Sequence, residues 1–223
     1  MRTSTGIDGL DHILHGGLLS GRVYLIHGGP GTGKTTLGLH FLSAGRNGLL
    51  VTFVQPAEQI RADAAALQLN LDHVKILDLT PPPEMFDEVR TYDIFLPTEV
   101  EREPISQQIS QAITSQRPDR IFVDSFDYFR SLTTDQLHQR RFTQSFFRFA
   151  TREGATLLVG SEDPYSACVV DGVIQLEVQE DQRSIRVTKL RGSDFLAGAH
   201  AMRLTNTGLD VPLPPQEGGP RAA

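Results

Sequence analysis

Apolar and polar positions follow two different periods in this chain, and the change from one to the other divides it. Up to residue 168, short apolar runs alternate with stretches at helical spacing. Arg22 to His27, Gly48 to Val54, Val74 to Leu77, Arg120 to Asp124 and Ala155 to Val159 read as buried strands. Lys34 to Gly45, Ala57 to Leu69, Ile105 to Gln116 and a span from about Thr134 to Arg152 read as helices. A short amphipathic helix precedes them, with Ile7, Leu10, Ile13 and Leu14 on one face and Gly16-Gly17 as its stop. Beyond residue 168 the helices end. Val173 to Val178, Ser184 to Leu190 and Ala201 to Leu204 alternate every second residue, as antiparallel strands with one wet face do.

Alternating strands and helices predict an α/β fold, a mostly parallel central sheet flanked by helices, here with C-terminal antiparallel strands. Pro81-Pro82-Pro83 interrupts the pattern, so Thr80 to Pro104 reads as a surface excursion. The Pro- and Gly-rich tail from Pro212 to Ala223 lacks the apolar surface to order itself, which leaves residues 1–213 as one expected domain. At 223 residues the chain suffices for one such core and is short for two. No apolar run reaches the ~18 residues of a membrane span and Met1 to Thr5 lacks a signal-peptide pattern, so a cytoplasmic, membrane-free protein is expected. A single cysteine, Cys168, excludes an internal disulfide.

Between the first strand and the first long helix lies Gly28-Gly29-Pro30-Gly31-Thr32-Gly33-Lys34-Thr35, a full match to G-x-x-x-x-G-K-[ST]. Its backbone N–H groups can curl around phosphate oxygens because the glycines raise no side-chain obstacle. Lys34 adds a cation for the terminal phosphates, and Thr35 opens a helix whose positive end favours the same anion and whose hydroxyl can hold Mg2+. Asp124, at the end of an apolar strand and followed by Ser125, has the form of the acidic residue that organises that Mg2+. A nucleoside triphosphate with Mg2+ is therefore the expected ligand.

The net charge of −6 is uneven: Glu84 to Glu103 holds seven acids against two arginines. The remainder is near neutral, which weakens a nucleic-acid reading without removing a local basic site. The span from Thr134 to Arg152 carries Arg140, Arg141, Arg148 and Arg152 opposite Phe142, Phe146 and Phe149, which reads as a solvated basic face over a buried aromatic stripe. Lys189-Leu190-Arg191-Gly192-Ser193 ends a late strand, and alternation puts Lys189 and Arg191 on one face. Two cations aimed alike suit a polyphosphate, and equally an exposed strand face.

Thr5-Gly6-Ile7-Asp8-Gly9-Leu10-Asp11, Gly16-Gly17-Leu18 with Gly21-Arg22, the phosphate loop, Asp124-Ser125 and Lys189-Leu190-Arg191-Gly192 together make the chain resemble the KaiC family. That family lies within the RecA-like ATPases, with the RadA recombinases. The resemblance implies a RecA-like P-loop NTPase fold and one KaiC-type ATPase domain, where KaiC has two in tandem, assembled head-to-tail into a ring, a hexamer. One subunit would offer Gly29, Pro30, Gly31, Thr32, Gly33, Lys34, Thr35 and Thr36 to the nucleotide, with Thr35 and Asp124 at the metal. The next would offer Lys189 and Arg191 to the γ-phosphate, with Ser193, Thr205 and Asn206 nearby. Cations supplied in this way stabilise transition-state charge.

One departure stands out. KaiC-like ATPases carry two consecutive glutamates after the second strand to prepare the attacking water, and this chain has Val54-Gln55 there. Gln55 can orient a water but cannot accept its proton, which predicts intact binding and slow or absent hydrolysis. Glu58 and Glu162 are the possible substitutes, Glu162 being better placed beyond a strand end, where it could sense the γ-phosphate. A RadA-like DNA repair paralogue predicts basic loops, yet Ser161 to Cys168 has no Lys or Arg. Phe126, Tyr128, Phe129 and Arg130 could stack bases but suit packing or subunit contact better. DNA is therefore not an expected partner. A non-hydrolysing, nucleotide-gated scaffold with a signalling protein partner is the other reading, and autophosphorylation a further one.

Overall fold

In the computed structural model of the chain, residues 1–82, 97–132 and 135–213 are described. Most of the acidic stretch, Thr134 at the expected helix start, and the tail from 214 on lie outside the described residues. Elements follow in the order β1 (Arg2–Thr3), α1 (Asp8–Ile13), β2 (Leu18–Leu19), β3 (Val23–His27), α2 (Lys34–Ser43), β4 (Gly48–Thr52), α3 (Ala57–Ala66) and β5 (Val74–Asp78). After these come α4 (Pro97–Gln116), β6 (Arg120–Asp124), α5 (Phe126–Ser131), α6 (Gln136–Arg152), β7 (Thr156–Ser161) and a 3-10 turn at Pro164–Cys168. The chain closes with β8 (Gly172–Gln179), β9 (Gln182–Leu190), β10 (His200–Thr205) and β11 (Gly208–Asp210).

Nine strands form one sheet in the order β11-β10-β9-β8-β3-β7-β6-β4-β5. From β8 across to β5 neighbours run parallel, and from β8 outward to β11 they run antiparallel. The mostly parallel sheet with a late antiparallel extension is thus present. β1 and β2 pair as a separate two-stranded ribbon.

Successive residues of the central strands serve opposite faces, as a pleated strand requires. Leu25, Leu49, Val51, Ile121, Val123, Leu157 and Val159 pack with α4, α5 and α6. Ile26, Leu50, Phe122 and Leu158 pack on the other face with α1, α2 and α3. Burial on both faces explains why these strands read as unbroken apolar runs. Arg120 is the exception, a buried charge in β6 whose guanidinium donates to the carbonyls of Ser4 and Phe41 and lies 5.0 Å from the Phe41 ring centroid. Burial lowers its pKa, and the two carbonyls replace lost water.

Two expectations need correction. The helix expected from Ile105 begins at Pro97 and carries Pro104 inside it, so 97–104 is not surface excursion. Pro97 stands at the first helical position, where proline is well tolerated, whereas the interior Pro104 reads in sequence as a helix boundary. Residues 126–131, read as a loop, form α5: Ser125 caps it by accepting from the Asp127 N–H, and Phe126 and Phe129 are buried. Their rings join Phe142, Phe146 and Phe147 at centroid distances of 4.6 to 5.9 Å. The aromatics of this segment are packing, except Tyr128, which is half exposed.

Candidate functional site

At the C-terminal end of the parallel strands, β3 runs into residues 28–33 and then α2. Gly33 takes φ +105°, a conformation that admits glycine and few others, and from it α2 starts with its N–H groups open toward the loop. Gly29, Pro30 and Gly31 are exposed, and Thr32 is buried, its hydroxyl donating to the Gly29 carbonyl at 2.9 Å. Thr36 lies half-buried in the first turn of α2. Lys34 Nζ donates to the carbonyls of Gly28 at 2.7 Å and Gly29 at 2.8 Å, and to Glu162 Oε1 at 3.1 Å.

Thr35 and Asp124 meet as the motifs predict: the threonine hydroxyl donates to Asp124 Oδ2 at 2.6 Å. Parallel pairing of β6 between β4 and β7 brings Asp124 to this edge of the sheet. Burial raises the Asp124 pKa above 3.8, opposed by the Thr35 hydrogen bond and the Lys34 charge and reinforced by Asp127. A divalent cation would reverse that balance by favouring the ionised form. The described residues contain no cluster of three or more His, Cys, Asp or Glu suited to a metal. A hydroxyl beside one carboxylate fits Mg2+, which keeps waters and takes its other oxygens from phosphates.

Gln55 is drawn away from these groups. Its Nε2 donates to Asp63 Oδ2 on α3 at 3.1 Å, while its backbone is tied to the Thr52 hydroxyl. Val54 beside it is exposed. Of the two substitute carboxylates, Glu58 sits exposed in the first turn of α3, whereas Glu162 reaches Lys34.

Lys189 and Arg191 point away from the loop of their own chain: Lys189 Nζ donates to the Ala167 carbonyl at 2.8 Å, and Arg191 lies 4.0 Å from Asp171. Burial, and then the Arg191 charge, lower the Lys189 pKa. Strict alternation would have placed Lys189 on the buried face with Ile185 and Val187. A bulge prevents this: Val173 faces Lys189 and the adjacent Ile174 faces Val187, so Thr188 is the extra residue. Leu190 then enters the core, and the cations stay on the outer face.

The remaining residues divide. Ser193 Oγ accepts from Arg2 at 2.6 Å, next to the β1–β2 ribbon. Thr205 and the exposed Asn206 lie at the turn between β10 and β11, whose Leu204 and Leu209 reach within 3.5 Å of where a Gly33 side chain would begin. That hairpin therefore borders the phosphate loop of its own chain.

Sequence reasoning passed over two residues here. Arg183 on β9 donates to the Gly31 carbonyl at 2.7 Å, and nothing near it in the sequence signals that reach. Asp127 accepts from Ser161 Oγ at 2.5 Å and from the Glu162 N–H at 2.9 Å, tying α5 to the end of β7. Its place three residues after Asp124 was the only available hint. A cavity of about 620 Å3, lined by Arg130, Gln139, Arg140 and Asp163 among others, includes no residue of the phosphate loop.

Comparison with known proteins agrees with this geometry. Residues 3–216 match the family described as "ATPase: KaiC". The circadian clock oscillator protein KaiC of Prochlorococcus marinus (strain MIT 9313) is 29% identical over 233 residues, covering 93% of this chain and 45% of that protein. KaiC of Parathermosynechococcus lividus is 30% identical, covering 94% and 42%, and that of Nostoc sp. (strain PCC 7120) is 30% identical, covering 93% and 43%. The chain spans less than half the length of these curated relatives. A phosphate loop joined to a Thr–Asp pair at the edge of a RecA-like sheet, together with a family match over most of the sequence, leads to one conclusion: the chain belongs to the KaiC ATPase family.

Proposed function

We propose that residues 1–213 act as one nucleotide-binding module that takes up ATP with Mg2+ on loop 28–35, between neighbouring copies in a ring, and hydrolyses it slowly. Lys34 and the N–H groups of 29–36 would hold the phosphates, and Thr35 and Asp124 would hold the metal, whose charge would polarise the terminal phosphate. Thr205 and Asn206 would border the nucleotide from the same chain. Lys189 and Arg191 of a neighbouring copy would add the outer cations, with Ser193 supporting that segment through Arg2. The observation that carries this reading is the convergence of Lys34, Thr35 and Asp124 while Gln55, in the place of the missing glutamate, is bonded to Asp63.

Slow turnover makes the bound nucleotide a long-lived state, which suits a switch read by a signalling partner in the cytoplasm better than a motor. The described residues contain no helix long and apolar enough to cross a membrane. Size-exclusion chromatography with light scattering in ATP, ADP or no nucleotide, beside phosphate-release kinetics, tests the proposal. Assembly to a ring with ATP and slow release that rises in Gln55→Glu support it. Turnover of the wild type equal to that of Gln55→Glu and of glutamate-bearing relatives refutes the slow-hydrolysis reading. Tight, steeply salt-dependent binding of single-stranded DNA would favour a repair role instead.

A further inference from the structure

The contact between Glu162 and Lys34 joins the phosphate loop to the residue that follows β7. Two of the lysine's three protons point at carbonyls inside the loop, and the third points at Glu162, which approaches from the end of β7. The lysine side chain is 11% exposed and the glutamate 51%, so the carboxylate covers the cation from the solvent side. It therefore stands where an anionic oxygen entering the loop would meet Lys34.

Glu162 is held at its backbone by Asp127, while its side chain is half exposed and reaches Lys34. Its N–H donates to Asp127 Oδ2 at 2.9 Å, and the Ser161 hydroxyl donates to Asp127 Oδ1 at 2.5 Å. Ser125 Oγ donates to the same Asp127 carboxylate at 3.2 Å, and Asp163 on the following position pairs with Arg130. The main chain at 161–163 is thus anchored to both ends of α5, while the Glu162 carboxylate can turn off Lys34 without disturbing a packed side chain.

We propose that Glu162 is a specificity-determining residue by which the site distinguishes a nucleoside triphosphate from a diphosphate, and that Asp127 is the positioning residue that keeps it against Lys34. The inference rests on the reading of loop 28–35 as the ATP site. A diphosphate leaves the outward proton of Lys34 with Glu162. A triphosphate competes for that proton and then lies beside a second negative charge. Glu162 accordingly weakens triphosphate binding more than diphosphate binding, and loss of the terminal phosphate lets the ion pair form again. The pair is half exposed, so the difference is about three- to tenfold in affinity.

Calorimetric titration of the full chain with ATP and with ADP, both with Mg2+, tests this in the wild type, Glu162→Gln, Asp127→Ala and Asp127→Asn. Glu162→Gln is expected to tighten ATP by about three- to tenfold and to leave ADP within about twofold. Asp127→Ala should move the ATP-to-ADP ratio the same way, should add nothing in a Glu162→Gln background, and should be rescued by Asp127→Asn, which keeps an acceptor oxygen. A purely structural role for Asp127 would weaken both nucleotides together. An unchanged ratio in Glu162→Gln, or weaker ATP binding there, overturns the proposal while the ATP site stands. Failure of the wild type to bind either nucleotide overturns the site itself.

Discussion

The Nε2 of His40 accepts the backbone N–H of Leu209 at 2.9 Å, joining the helix that leaves the phosphate loop to the last strand of the sheet. Only a neutral ring can accept there, and the Gly6 carbonyl bonds the same imidazole. Burial holds the His40 pKa below 6.5, against the opposing pull of Gly6. Because the folded-state value is depressed, the stability this contributes is present above about pH 6.5 and is lost as pH falls through the lower folded value. Urea midpoints measured from about pH 7.5 to 5 should fall for the wild type and change less for His40→Gln, which cannot titrate.

Gly208 lies under the same ring. A Cβ there would stand 2.1 Å from His40 Nε2, and the residue has φ +97°. Gly208→Ala should cost roughly 2 kcal/mol or more in chemical denaturation, combining backbone strain with a displaced buried ring. His40→Ala removes the obstacle, so the double variant should lose less than the sum of the two single changes.

Asp124 is a buried carboxylate whose raised pKa marks an ionised form that disfavours folding. For a raised acid the stabilising contribution is full below the unfolded value of 3.8 and is lost as pH rises through the folded one. Asp124→Asn should therefore hold or raise the thermal midpoint of the nucleotide-free protein at neutral pH. The same change should abolish the further rise expected of the wild type with Mg2+ and ATP, a rise set by mass action.

Phe129 and Tyr128 are neighbours with opposite prospects. The Phe129 ring is buried and lies 4.6 Å from Phe146 and 4.9 Å from Phe142, whereas Tyr128 is 54% exposed. Phe129→Ala should cost about 3–5 kcal/mol by the cavity it leaves. Tyr128→Ala should stay within about 0.5 kcal/mol in the same denaturation assay.

The central strands and the phosphate loop were legible in the sequence because each rests on a local signal: a run of apolar residues between helices, or glycines at fixed spacing before Lys34. Asp124 was legible through its strand. What was hidden depends on residues far apart in the chain. Gln55 gives no sign that Asp63 will take its amide, and Arg183 lies 152 positions from the Gly31 carbonyl it reaches. α5 was missed because six residues give too few turns for a period to show, although Ser125 and Asp127 form its cap. The parity of Lys189 was read correctly for its partnership with Arg191, but with Thr188 present it takes the bulge to keep the pair off the side that Ile185 and Val187 share.

That bulge separates two properties that a strand normally ties together. Without Thr188, Val187 and Lys189 would be adjacent and would still face Ile174 and Val173, so the ladder, the core and the charges would all be kept. What the additional residue changes is aim, through the bend and twist it puts into the strand just before Lys189 and Arg191. In the proposed ring, contact with a neighbouring copy would therefore be tuned at Thr188 by direction, with the strand pairing of the subunit kept.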